Sequence, residues 1–332
     1  MEPIILMNSK WGNDIFTPMY LFFGGLTGGL FIVAVVADLV GIKHKSFEKL
    51  SKVVAFIVPL ALVLAGLFIT FHLGKPERGM FFPLYFSNFN SWMVIGGYSV
   101  GLAFPMIIAY ALLWYYKVNQ TIRRLLGVVG IPLLGFVSLY TGLLLSGAKF
   151  VPLWSQQYLP YLFLNSGLLT GLAAAGLAFL LFHTFVKTEL DDMSRILQIV
   201  GYAILALIVV EGLELYLFMN HLALNPEKLD ETGKFINPNG GALAYEYVTQ
   251  GVLAPWFWWG IVGMGLTFPL ILTFIEMIFD KIIRPYVNWV AGVKFASILA
   301  GGIILRFVIV WGGDLKAPLV FPPALFQLPL SG

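Results

Sequence analysis

Residues 16–40 read FTPMYLFFGGLTGGLFIVAVVADLV, with no charge before Asp38. At about 1.5 Å per residue, a helix of this length crosses the ~30 Å hydrocarbon core of a bilayer. The run is too long for the apolar core of a cleavable signal and is expected to remain as a membrane span. Seven further apolar runs follow, at roughly 52–72, 91–115, 122–148, 159–186, 196–220, 255–279 and 289–311. The expected class is all-α: a polytopic membrane protein of eight transmembrane helices.

Composition points the same way. The 332 residues are 59% hydrophobic and 11% charged, with a mean hydropathy of +0.87. Soluble domains are about half apolar and a quarter charged. The surroundings are therefore lipid, and no nucleic-acid partner is expected. The net charge of +3 matters less than where the charges fall. Lys43, Lys45, Lys49, Lys52, Lys117, Arg123, Arg124, Lys187, Arg195, Lys281 and Arg284 lie in or beside the loops after odd-numbered spans. The termini and the other loops hold fewer, namely Lys10, Lys75, Arg78, Lys149, Lys228, Lys234 and Lys316. The positive-inside rule then places both termini outside. Trp256, Phe257, Trp258 and Trp259 read as an aromatic belt at that outer interface.

The absence of cysteine excludes disulfides, thiolate-bound iron–sulfur clusters and a cysteine nucleophile in this chain. Four histidines limit haem and metal ligation. At most one haem could be built, from His72 and His221.

The chain echoes itself. Leu26-Thr27-Gly28 matches Leu169-Thr170-Gly171, and His72-Leu73 with Pro76-Glu77 matches His221-Leu222 with Pro226-Glu227. Gly101-Leu-Ala-Phe-Pro105 matches Gly265-Leu-Thr-Phe-Pro269. The shared order predicts two four-helix bundles of like topology, residues 1–150 and 151–332, related as a parallel repeat. Pro105 and Pro269 are expected to kink their helices or free a carbonyl. One long outer loop, 221–254, carries turn residues such as Asn225-Pro226 and Asn237-Pro238-Asn239-Gly240. It reads either as a solvated lid or as a docking surface for an extramembrane subunit.

The costliest residues to place in lipid are Glu211, Glu214 and Arg306. The two glutamates are three apart and share a helix face. Glu214 and Arg306 lie at similar depth, so an ion pair is expected between them, either registering two helices or serving a proton relay. Asp38, His183, Glu276 and Lys294 lie near inner span ends. Each reads as a snorkelling interfacial residue, or together they mark an inner proton path.

His72-Leu-Gly-Lys-Pro-Glu-Arg78 closes the second span, with Ser91-Trp92 beyond it. Tyr140-Thr-Gly-Leu-Leu-Leu-Ser-Gly147, Pro152-Leu-Trp154, Ser166-Gly167, Thr170-Gly171 and Gly301-Gly302 with Arg306 follow in order, after an opening Trp11, Tyr20, Gly24-Gly25 and Gly28-Gly29. This arrangement resembles the NrfD/PsrC family along nearly the whole chain. The resemblance implies a multi-pass subunit of the cytoplasmic membrane with no complete active site of its own. It would belong to a quinone-dependent, polysulfide-reductase-like respiratory oxidoreductase. It would bind menaquinone or ubiquinone near the outer face and carry no haem or iron–sulfur cluster itself. Its partners would be an iron–sulfur subunit docked outside, with a molybdopterin catalytic subunit or a hydrogenase beyond. The terminal substrate would be polysulfide, sulfur, tetrathionate, thiosulfate or arsenate.

On that resemblance Tyr20 and Thr17 occupy the helix-1 positions where relatives place a His and an Asn against the quinone, with Asn13 a little further out. Tyr140 matches a quinone-contacting tyrosine of the fourth helix. His72 reads either as an interfacial histidine or as a quinone or proton-transfer group. The competing reading is a secondary transporter or ion pump with no redox partner, which repeated halves and buried charges would equally suit.

Overall fold

The computed structural model describes residues 14–72, 88–148, 151–183, 190–224, 228–229, 235–237, 241–278 and 286–314. Asn13, the 73–78 part of the second-span motif and the turn residues 225–227 and 238–240 lie outside them.

Among the described residues, eight helices are long and apolar enough to cross a membrane. Spans 1 to 4 are Phe16–Val40, Ser46–His72, Trp92–Tyr115 and Gln120–Ser146. Spans 5 and 6 are Leu159–Phe182 and Leu190–Ala223. Span 7 covers Trp256–Ile278 and span 8 Val287–Trp311. Spans 2 and 6 begin about a turn and a half before their apolar runs. Charges such as Lys49, Lys52 and Arg195 interrupt the composition there, yet Phe47, Leu50, Val54 and Met193, Ile196, Val200 continue a buried face at helical spacing.

Among the described residues, the connections add little other structure. After span 6, Lys228–Leu229 pairs antiparallel with Phe235–Asn237, and a short helix Gly241–Thr249 follows. This hairpin leaves the class all-α.

Spans 1, 2, 3 and 4 pack as a ring of neighbours, and spans 5, 6, 7 and 8 as another. Spans 1 and 5 join the rings, crossing at glycines. A Cβ added to Gly171 would lie 2.5 Å from the carbonyl carbon of Gly29, and one on Gly29 would collide with the Gly167 carbonyl. Small residues allow this approach, on which helix association in lipid depends. The matching Leu-Thr-Gly triplets therefore fall beside one central crossing. Gly265 and Gly301 meet in the same way between spans 7 and 8.

Span 7 opens as a π-helix, Trp256–Thr267, before continuing as an α-helix from Phe268. Pro269 has no N–H for an α-helical bond to Gly265, and the preceding amide, Phe268, reaches back to the Gly263 carbonyl. Trp256, Trp258 and Trp259 point outward while Phe257 is buried, as an interfacial aromatic belt requires.

A buried cluster at the loop end includes Leu21, Leu145, Trp154, Phe163, Phe218 and Leu305, with Ala244 and Val248 of the short helix. The Trp154 indole donates to the Ile309 carbonyl at 2.8 Å. The long loop is thus anchored on the end of the molecule that carries His72.

Candidate functional site

Just ahead of span 1 lies Asp14, whose Oδ1 accepts from the amides of Phe16 (2.9 Å) and Thr17 (3.3 Å). Its Oδ2 accepts from the Thr17 hydroxyl. His72 ends span 2 and brings Nδ1 to 3.2 Å from both Asp14 Oδ2 and Thr17 Oγ1. The Trp311 indole closes over the group, donating to the Asp14 carbonyl at 3.3 Å. Three span ends are tied at one polar knot. The Asp14 side chain is 7% exposed and that of His72 33%, so the pair bridges the protein interior and the surface.

Asp14 is a site residue that the sequence motifs do not single out. The signal that could have found it is an acidic residue just ahead of a helical run, the preferred place for a helix cap.

One turn deeper, the Tyr20 hydroxyl faces that of Tyr140 from span 4. The Tyr140 ring lies directly on Gly96 of span 3, where any Cβ would overlap it. All four helices of the first ring therefore contribute, and Thr17, Tyr20, His72 and Tyr140 do come to one end of it.

Arg306 lies on the other side of span 1, completely buried. A Cβ on Gly25 would sit 3.3 Å from its Nη2. The expected pair with Glu214 is not formed. Arg306 donates instead to Ser166 Oγ (2.9 Å) and the Phe163 carbonyl (3.3 Å), with its Cζ 4.1 Å from the centre of the Phe163 ring. Glu211 and Glu214 are set apart by about 60° of rotation and about 4.5 Å of rise, and Glu211 faces Ser166 and Arg306 while Glu214 faces Asn165. Glu211 Oε2, Glu214 Oε2 and Arg306 Nε have no hydrogen-bond partner among the described residues. A void of about 10 Å³ adjoins Glu211, lined by Ser166, Thr170, Gly301 and Gly302. That is the least space that takes a water molecule.

At the opposite end two of the four expected snorkelling residues, Asp38 and Lys294, are buried instead. Asp38 is fully buried and held by Arg123. Lys294 is buried and paired with Glu276 across spans 7 and 8. A charge inside the bilayer is retained when it turns inward and finds a partner. His183 remains at the helix end, its Nδ1 2.7 Å from the Leu180 carbonyl. Asp38 and the Glu276–Lys294 pair lie in different rings and share no hydrogen bond among the described residues.

The loop-end arrangement offers two phenols, and beside them an imidazole held by a carboxylate. Its chemistry suits hydrogen bonding to an oxygen on an apolar ring, with a proton route toward water.

The sequence pattern of the family described as "Polysulphide reductase, NrfD" matches residues 6–317. The chain belongs to the NrfD family. It is similar to the C subunit of polysulfide reductase from Wolinella succinogenes, with 27% identity covering 93% of this chain and 99% of that protein. It is also similar to Protein NrfD of Escherichia coli K12, with 26% identity covering 90% and 93% respectively. NrfD-family proteins are membrane subunits of respiratory oxidoreductases, and the eight apolar helices make this one a multi-pass membrane protein.

Proposed function

We propose that this chain exchanges electrons between a membrane quinone, menaquinone or ubiquinone, and an iron–sulfur subunit docked over the 221–254 loop. A molybdopterin enzyme of the polysulfide-reductase type, or a hydrogenase, lies beyond that partner. The loop end is the outer face of the cytoplasmic membrane, where the charge distribution puts both termini. The two rings, residues 1–150 and 151–332, derive from duplication of a four-helix unit.

The observation that carries this reading is the meeting of the Tyr20 and Tyr140 hydroxyls one turn below the Asp14–Thr17–His72 knot. Converting quinone to quinol takes two electrons and two protons. Tyr20 and Tyr140, whose hydroxyls meet, hydrogen-bond one of the ring oxygens. His72, oriented by Asp14 and Thr17, passes protons between the site and water. Arg306 and Glu211, across span 1, supply a buried charge and an unpaired carboxyl oxygen for a relay toward the second ring. Glu276, Lys294 and His183 remain the candidates for proton entry from the inner side.

The test is purification of the tagged chain with its partners in mild detergent, followed by quinol-driven reduction of the partner's clusters. An iron–sulfur protein should co-purify, and His72→Ala should slow its reduction at least tenfold. Unchanged reduction would remove His72 from the site. A chain that purifies without any iron–sulfur protein would leave ion transport as its function.

A further inference from the structure

Between spans 6 and 7 lies a lateral cavity of about 600 Å³. At ~30 Å³ per water molecule this is room for about twenty waters, but at bilayer depth no bulk water is present to fill it. From Ile208 to Ala223 it follows span 6 for about 22 Å, at 1.5 Å per residue. That is longer than one leaflet's half of the ~30 Å hydrocarbon core and reaches into the headgroup layer.

The lining changes character along that length. The mid-membrane end is Ile208, Leu266 and Leu270, with one hydroxyl, that of Thr267. The loop end adds Asn220 and Tyr245. There the rim is fixed, because the Trp258 indole donates to the Thr249 carbonyl at 2.9 Å and so pins span 7 to the short loop helix. The π-helical segment of span 7 forms one wall, and such segments often mark functional sites.

We infer that this cavity binds one membrane phospholipid from the leaflet on the loop side. An acyl chain lies along Gly212 and Leu215, and the glycerol–phosphate region rests against Asn220 and Tyr245. The gradient from apolar to polar along one leaflet's depth is that of a glycerolipid. A quinone ring would need hydrogen-bond donors for two opposed oxygens, and the middle of the cavity, around Gly212, Leu215 and Val262, presents a single side-chain donor, the Tyr216 phenol. The lipid replaces direct packing between spans 6 and 7, which touch sparsely here.

Gly212 makes a clean test. A Cβ built there meets nothing within 4 Å, so a side chain fills the cavity without disturbing protein packing. The full chain, purified in detergent and supplied with palmitoyl-oleoyl phosphatidylethanolamine, is measured by native mass spectrometry. The wild type should hold one phospholipid after detergent removal. Gly212→Leu should lower that occupancy at least tenfold, and Asn220→Ala should lower it less. A wild type with no retained phospholipid, a Gly212→Leu protein with undiminished occupancy, or an isoprenoid quinone in place of the phospholipid would each overturn the assignment. Circular dichroism of Gly212→Leu, expected unchanged, separates displacement from unfolding; if the helix signal falls, Val262→Phe on the facing wall must reproduce the loss of lipid or the assignment fails.

Discussion

Arg123 grips Asp38 through two hydrogen bonds, Nε to Oδ2 at 2.7 Å and Nη2 to Oδ1 at 2.6 Å. Around this pair, Arg124 bridges Asp38 (3.2 Å) to Glu48 (2.7 Å), and the Tyr110 hydroxyl donates to Asp38 at 3.2 Å. The Arg123 guanidinium stacks 3.5 Å from the centre of the Trp114 ring. Spans 1, 2, 3 and 4 are all clasped at this point. Removing one member of a buried pair costs about 3–5 kcal/mol, because the other charge stays behind unpaired. Asp38→Asn should therefore lower the thermal unfolding temperature sharply in detergent. The protein that remains folded should keep its quinol turnover. Normal melting with lost turnover would instead make Asp38 a proton carrier.

Gly96 has no catalytic atoms, yet its substitution should slow turnover severely. The Tyr140 ring occupies the space where a Cβ would stand, so Gly96→Ala must push the ring aside. Displacement of a reacting group by about 1 Å can cost around 100-fold in rate. Quinol-dependent turnover should fall by about that factor while the helical signal by circular dichroism stays intact. Gly101→Ala, on the same helix with nothing within 4 Å of its Cβ, should be silent and serves as the control.

Which parts of this molecule a sequence can disclose depends on the kind of signal each carries. Phe16–Val40 is legible to the residue, because hydrophobic length needs no partner to be read. Tyr20, Thr17, His72 and Tyr140 are marked by family resemblance, and their convergence at one end is what the helix directions then impose. Asp14 is not legible, since one acidic residue outside an apolar run looks like any loop charge until a distant histidine reaches it. The expected Glu214–Arg306 pair fails for a similar reason. Depth along the membrane can be counted from sequence, whereas rotation about the helix axis is set by packing, and packing turns Glu211 toward the arginine. Asp38 and Lys294 look interfacial in sequence because their partners, Arg123 and Glu276, lie on other helices.

Arg306 should not tolerate lysine. Its fork spans Ser166 Oγ and the Phe163 carbonyl while its plane lies over the Phe163 ring, and an ammonium can satisfy neither the geometry nor the stacking. Arg306→Lys should reduce turnover by more than tenfold. Glu211→Gln, which keeps shape but removes the ionisable oxygen next to the small void, should reduce turnover without lowering thermal stability. Equal turnover in wild type and Glu211→Gln would confine Glu211 to helix registry and exclude it from the relay.

Asp14 does two jobs that one substitution separates. Its Oδ1 caps span 1, and its Oδ2 holds His72 and Thr17. Asparagine caps a helix about as well as aspartate does, so Asp14→Asn should leave the unfolding temperature within a degree or two of wild type. It carries no negative charge to orient or stabilise a protonated imidazole, and charge-assisted hydrogen bonds are roughly twice as strong as neutral ones. Proton transfer through His72 should therefore slow. The expected result is about a tenfold fall in kcat for quinol oxidation with little change in KM, because Tyr20 and Tyr140 still hold the ring. A rise in KM at constant kcat would show instead that Asp14 and His72 bind the ring and move no proton. Asp14→Ala, losing cap and charge together, should combine the kinetic defect with about 1 kcal/mol of lost stability.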